Sequence, residues 1–260
     1  MPITSMENAF SLKGKNAIVT GGNRGLGKSI SEAFAQQGAN VAILCRNEQS
    51  GIAAAAELEK YGGTYFCIQT DVGNIKSCKA ATEEAIRRFS KIDILVNNAG
   101  VACGGPFLDM DEELSEWYRV QNIDLNGLAH MSYFVGKHMR DTGGGKVINI
   151  SSNAADIVNS ECMSPYSASK AAVNRLTKCL AYEWGQYGVT VNAIAPGFTW
   201  STLSDAIPQE GIDRICRQMA TGRFGEAIEI GALAVYLASP AADQVTGAVV
   251  TIDGGYSLTI

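Results

Sequence analysis

Only two histidines, His130 and His138, occur in the 260 residues, and the seven cysteines never form a C-x-x-C pair. Two imidazoles leave little room for a histidine metal centre or a Ser-His-Asp triad, and the cysteine spacing fits neither a zinc site nor a disulfide frame. The odd, scattered set Cys45, Cys67, Cys78, Cys103, Cys162, Cys179 and Cys216 predicts buried thiols in a reducing compartment. A cytoplasmic location and no metal are therefore expected. A basic excess is missing too. A net charge of -5 and a pI near 5.2 argue against nucleic acid or an acidic membrane surface as partner, while leaving space for a local basic pocket for a phosphate. No uncharged apolar run reaches about 18 residues, so no transmembrane helix is indicated. The stretch 1–12 lacks a basic start and a continuous apolar segment, which excludes a signal peptide.

What is present is an ordinary globular composition, 46% hydrophobic and 18% charged, in a chain able to bury one large core. Apolar runs alternate with helical patterns from end to end. Strand signals fall at Asn16–Thr20, Asn40–Cys45, Tyr65–Gln69, 92–96, 146–150, 190–194 and Val249–Ile252. Helical patterns fall between them at 25–37, 49–61, 76–88, 114–140 and 166–186. Such alternation predicts parallel strands joined by right-handed crossovers, with helices on both faces. The consecutive apolar positions of each strand agree with burial on both sides. The expected architecture is a Rossmann-type doubly wound α/β sheet of about seven strands, forming one domain over residues 1–260. The stretch 196–221 is the longest irregular-looking one and follows a strand end, where open α/β sheets place their ligands. A substrate loop is expected at about 197–222.

Directly after the first strand comes Thr20-Gly21-Gly22-Asn23-Arg24-Gly25-Leu26-Gly27, opening a helix. Glycines there allow a tight turn and close approach of backbone to a pyrophosphate seated on the helix N-terminus. The second strand ends Val41-Ala42-Ile43-Leu44-Cys45-Arg46-Asn47, without the carboxylate that would bind a free ribose 2′-hydroxyl. Arg46 can instead pair bidentately with a 2′-phosphate, with Arg24 flanking it. The expected cofactor is NADP(H).

Tyr166 and Lys170 are four residues apart and so share one helix face. A free phenol titrates near about 10 and a neighbouring ammonium favours its phenolate, which suits a tyrosine to moving a proton at a carbonyl or alcohol oxygen.

The chain resembles the short-chain dehydrogenase/reductase family over essentially its whole length. The family's T-G-x-x-x-G-x-G pattern matches Thr20, Gly21, Gly25 and Gly27; its third-strand acid matches Asp71, in Thr70-Asp71-Val72. Its N-N-A-G turn is Asn97-Asn98-Ala99-Gly100, and its Y-x-x-x-K signature is Tyr166-Ser167-Ala168-Ser169-Lys170, preceded by Ile150-Ser151-Ser152. Pro196-Gly197 and Asp253-Gly254-Gly255 complete the order.

The resemblance implies an enzyme in which Ser152 hydrogen-bonds the substrate oxygen, Tyr166 moves the proton and Lys170 also holds the nicotinamide ribose. It implies cofactor contacts from Gly21, Asn23, Arg24, Gly25, Leu26, Gly27, Arg46, Asn47, Asp71, Val72, Asn98, Ala99, Gly100, Tyr166, Lys170, Pro196, Gly197, Thr199 and Ser201 (or Thr202). Ser152, Ala154, Met163, Trp200 and Cys103 are expected to wall the substrate. The family's usual relay asparagine is replaced by Asp124, in Gln121-Asn122-Ile123-Asp124-Leu125-Asn126-Gly127. Asp124 is expected to take its place in the relay.

The I-D-L-N-G stretch and the opening Phe10-Ser11-Leu12-Lys13-Gly14-Lys15 are similar to NADPH-dependent sugar-alcohol and ketose reductases of the mannitol, sorbose and gluconate types. The implied reaction interconverts a carbonyl and a secondary alcohol on a small ketose or polyol. A hydroxysteroid or 3-oxoacyl reductase is the alternative within the family. A non-catalytic NADPH-binding sensor is the alternative outside it, and the presence of both Tyr166 and Lys170 speaks against that. Family members assemble as homotetramers (or homodimers), which is the expected partner state.

Overall fold

The computed structural model describes residues 6, 8–102, 105–158, 162–200 and 207–259. The first half alternates β1 (Asn16–Thr20), α1 (Gly25–Gln36), β2 (Asn40–Cys45), α2 (Glu48–Leu58), β3 (Tyr65–Gln69), α3 (Ile75–Phe89) and β4 (Ile94–Asn97). The second half runs α4 (Ser115–Val120), α5 (Gly127–Asp141), β5 (Gly145–Ile150), α6 (Ser164–Trp184), β6 (Val189–Pro196), α7 (Gln209–Gln218), α8 (Ala227–Ala238) and β7 (Val249–Ile252). All seven strands pair in parallel, in the order β3-β2-β1-β4-β5-β6-β7. This is the expected Rossmann-type doubly wound sheet.

Alternate residues of each strand feed two cores. Ala17 and Val19 of β1 and Val41 and Ile43 of β2 face α1, α2 and α8, packing with Ile30, Phe34, Leu58 and Ile230. Ile18, Ala42 and Leu44 point the other way, toward Ala81, Met131, Val135 and Ala181 of α3, α5 and α6. Both faces are apolar because both are covered. Several helices begin at a side-chain cap: the Asn47 Oδ1 accepts the Ser50 N–H at 2.9 Å, and the Asn74 Oδ1 accepts from Lys76 and Ser77. A reciprocal Glu226/Glu229 capping box opens α8.

Four expectations need correction. The stretch 196–221 is not wholly irregular, because it contains α7. Its apolar residues Ile212, Ile215 and Cys216 stand at the helical i, i+3, i+4 spacing and pack with Met219, Phe224 and Tyr256, a short signal that the reading of the stretch as irregular passed over. α8 was not anticipated either; it is apolar almost all round, so no amphipathic period marks it. The helix expected over 114–140 is α4 and α5 joined by a π-turn at Gln121–Asn126, where the Gly127 N–H reaches back to the Asn122 carbonyl. The cysteines also differ from expectation: Cys45 and Cys78 are buried, Cys67, Cys162 and Cys216 partly so, but Cys179 is exposed. Cys103 lies outside the described residues.

Candidate active site

The strand order reverses between β1 and β4, so the loops after these strands flank a crevice at the sheet's carboxyl edge. The Gly21–Gly27 loop, between β1 and α1, forms one wall. Gly21 adopts φ +65°, a left-handed conformation that favours glycine, and an added Cβ would stand 2.9 Å from the Asn98 amide nitrogen. At Gly27 a Cβ would collide with the Gly21 carbonyl and that same amide. The helix behind this loop is left open for an anion. Arg24 at the N-cap of α1 makes no side-chain cap, and the first turn carries no acid. The backbone N–H groups of that turn are therefore available to a pyrophosphate. The residues present fit a dinucleotide.

The opposite wall is the Asn97-Asn98-Ala99-Gly100 turn. The Thr20 hydroxyl accepts the N–H groups of Asn98 (2.9 Å) and Ala99 (3.0 Å), and the Asn98 amide donates back to the Thr20 carbonyl. Beyond the end of β2, Arg46 and Arg24 are both exposed. Asn23 donates to the Ser50 hydroxyl at 2.9 Å, which in turn donates to the Asn47 carbonyl at 3.0 Å. The glycine loop and the start of α2 are thus tied together beside the two arginines. Gln69, not singled out from the sequence, donates to the Arg46 carbonyl at 3.0 Å and pins that turn. Asp71 is exposed and accepts the Gly73 N–H, while Val72 is buried and its carbonyl meets the His130 ring.

The chemistry-bearing group forms where α6 and the π-turn meet the end of β5. Pro165 in the first turn of α6 pre-sets its helical start. Four residues apart on that helix, the Lys170 ammonium lies 5.3 Å from the centre of the Tyr166 ring. It donates to the Ile150 carbonyl at 3.1 Å. It also lies 3.2 Å from Oδ2 of Asp124, and the two side chains are only 6% and 0% exposed. The other Asp124 oxygen accepts the Val101 N–H at 2.8 Å. Oδ2 has no aligned hydrogen bond, so it meets the ammonium as an ion pair and keeps lone pairs unpartnered. Asn122 and Asn126, two positions to either side, are exposed on the outer face.

Ser151 and Ser152 point apart, as strand alternation requires. The Ser151 hydroxyl donates to the Lys170 carbonyl, whereas the Ser152 hydroxyl accepts the Ala154 N–H at 3.1 Å. Among the described residues Ser152 donates to nothing. Ala154 is buried beneath Ser152, and Met163 is the partly exposed residue preceding α6. Gly197 packs against Asp253, and Thr199 forms a bridge to Gly225. Trp200 is 38% exposed, with its ring 4.8 Å from that of Phe224. Ser201 and Thr202 lie outside the described residues.

Two supporting sets were not anticipated. Asn97 donates to Ser132 and Asn149, and Asn149 donates to Thr177, all at 2.9 Å and all buried. This chain stitches α5, β4, β5 and α6 together behind the site; asparagines inside apolar strands are the signal that could have found it. Asn153, next to Ser152, donates to Asp253 at 3.3 Å. Burial alone would push the Asp253 carboxyl up, but bonds from Ser257, Asn153 and Gly255 outweigh it and hold the group below its ordinary value.

A family model described as enoyl-(acyl carrier protein) reductase matches residues 21–257. The D-threitol dehydrogenase of Mycolicibacterium smegmatis is 38% identical over 98% of this chain and 97% of its own. The sorbose reductase of Candida albicans is 37% identical over 95% of this chain and 89% of its own. A crystal structure of a gluconate 5-dehydrogenase from Burkholderia cenocepacia, in complex with NADP and tartrate, superposes with a TM-score of 0.92 at 32% identity, covering 97% and 99% of the two chains. The chain belongs to the short-chain dehydrogenase/reductase family of nicotinamide-dependent oxidoreductases.

Proposed function

We propose that this protein is an NADP(H)-dependent carbonyl reductase that interconverts a ketose, or a related polyol-type ketone, with its secondary alcohol. The observation that carries the reading is the buried Lys170 ammonium 5.3 Å from the centre of the Tyr166 ring, one turn away on the same helix. The Ser152 hydroxyl, at the end of the strand whose Ile150 carbonyl Lys170 bonds, accepts from Ala154 and donates to nothing among the described residues. When bound, the reduced nicotinamide supplies a hydride to the carbonyl carbon. Ser152 hydrogen-bonds the carbonyl oxygen and orients it. Tyr166 gives its hydroxyl proton to that oxygen, so that an alcohol and a phenolate result. Lys170 stabilises the phenolate, and Asp124 stands where its unpartnered oxygen can accept from a relay water.

Arg46 and Arg24, with no acid at the end of β2, support NADP(H) over NAD(H). The NADP in the gluconate 5-dehydrogenase structure supports the same choice. The threitol and sorbose relatives support a polyol or ketose. The segment 197–222, which follows β6 and includes α7, is the substrate-binding segment of this reading. Tyr133 on α5 and Tyr182 on α6 stand 56% and 91% exposed, which supports a homotetramer joined through these helices. Light scattering returning a monomer would remove the oligomer. A cytoplasmic location completes the reading.

The test is cofactor oxidation across ketoses, diketones, steroids and acyl thioesters, with NADH run beside NADPH. Turnover of ketoses with NADPH is the expected result. A preference for NADH would overturn the role of Arg46, and turnover confined to steroids or thioesters would overturn the substrate class.

A further inference from the structure

We propose that Asp124 sets the alkaline limit of the reaction by offsetting the charge of Lys170 beside Tyr166. The inference rests on the reading of Tyr166 as the group that moves the proton. It goes beyond a relay role, because it concerns the charge of Asp124 and not the water that a carboxylate or an amide could equally hold.

The charges of Lys170 and Asp124 balance each other where both side chains are out of water. Lys170 and Asp124 form a closed ion pair at 3.2 Å with almost no solvent exposure, where charges interact far more strongly than in water. With Tyr166 protonated, the cluster is neutral. Ionising Tyr166 would set two anions against one ammonium. Were residue 124 uncharged, the same ammonium would face the phenolate alone, and the ionised state would be the balanced one.

Among the described residues, nothing on the neighbouring elements restores that balance. On α4, Glu116 and Arg119 face each other at 2.6 Å at the surface, and Arg119 also donates to the Ala102 carbonyl. Asp156 and, on α6 itself, Arg175 are exposed. Asp253 is held by Asn153, Gly255 and Ser257. No charged residue lies on β6 or in the turn Asn153–Ala155. The carboxylate is also fixed in place: the π-turn aims it inward, and the Val101 N–H holds its other oxygen at 2.8 Å.

In reduction, the Tyr166 O–H bond breaks and its proton passes to the substrate oxygen as the carbonyl carbon takes up a hydride. Oxidation reverses both transfers. One group serves both directions, so the alkaline fall of kcat/KM for reduction and the alkaline rise for oxidation share a midpoint.

The experiment compares these profiles in the wild type and Asp124→Asn, which keeps the shape and an acceptor for Val101. Both midpoints are expected to move together to lower pH by about one unit, a tenfold change at fixed pH. A second readout needs neither cofactor nor substrate: the tyrosinate absorbance lost on Tyr166→Phe, titrated with and without Asp124→Asn. That component is expected to develop at lower pH in the Asp124→Asn background. Circular dichroism checks folding, and Asp124→Ser, also uncharged, takes its place should Asp124→Asn unfold. Midpoints and tyrosinate titrations that coincide with those of the wild type, in an enzyme that turns over ketones, would overturn this inference and leave the reductase reading intact. A shifted tyrosinate titration without turnover of any carbonyl would sustain the charge coupling and remove the reductase reading.

Discussion

The Thr20 hydroxyl accepts two backbone N–H groups from the far side of the crevice, those of Asn98 and Ala99, while the Asn98 amide returns a bond to the Thr20 carbonyl at 2.9 Å. Residues nearly eighty apart in the chain are thereby locked at the point where the strand order reverses. The two walls of the crevice are tied to each other.

Gly27→Ala tests that lock. Its Cβ would meet the Gly21 carbonyl and the Asn98 amide together, and backbone gives way poorly. Overpacking of this kind costs about 1–3 kcal/mol. Thermal unfolding should show the loss, and a fluorescence titration should show weakened NADPH binding. Unchanged affinity would mean that the crevice is not the cofactor site.

Tyr166→Phe removes one oxygen and leaves Lys170 bonded to Ile150 and paired with Asp124. The expected fall in kcat is about a hundredfold to ten-thousandfold, with NADPH affinity held near that of the wild type. Steady-state kinetics and a binding titration separate the two. A variant that kept full turnover would remove the tyrosine from the proton step.

Arg46→Ala tests the proposed choice of NADP(H): it takes away the guanidinium while the Gln69 bond to the backbone carbonyl survives. A charged hydrogen bond contributes about 1.5–3 kcal/mol, so the KM for NADPH should rise about tenfold to a hundredfold. The KM for NADH should stay where it was. Equal effects on both cofactors would locate Arg46 away from the phosphate.

His138 gives a pH-dependent stability that is independent of catalysis. Its Nε2 accepts the Ile92 N–H at 3.1 Å, and burial, followed by the nearby Lys91 charge, lowers its pKa from the ordinary 6.5. A depressed pKa means that the unfolded chain binds the proton first. The stabilisation is therefore complete above about pH 6.5 and is lost as pH falls toward the folded value. Melting temperatures from pH 8 down to 5 should drop less steeply in His138→Gln than in the wild type. Parallel curves would show that the imidazole does not titrate on unfolding.

Much of this protein was legible in one dimension because local rules sufficed. Apolar strands such as Val41–Leu44 announce burial on both faces, the Gly21–Gly27 loop needs its glycines for backbone reasons alone, and Tyr166 and Lys170 share a face because helices repeat every 3.6 residues. Their order along the chain determined the family. What sequence reasoning could not decide depends on contacts between distant segments. α7 shows its helical spacing in only three residues, Ile212, Ile215 and Cys216, of an otherwise polar stretch, and α8 carries a nearly unbroken apolar run in which only the packing against α1 decides which side is buried. The Asn97–Asn149–Thr177 chain joins three elements through bonds spanning up to 52 residues. Above all, Asp124 was visible as an unusual residue, but its closure on Lys170 was not. A regular helix leaves the rotation of that carboxylate undetermined, and the π-turn, together with the Val101 N–H, aims it at an ammonium on another helix. Only the packed tertiary structure brings those two charges to 3.2 Å, out of water, where their pairing has consequences for a proton.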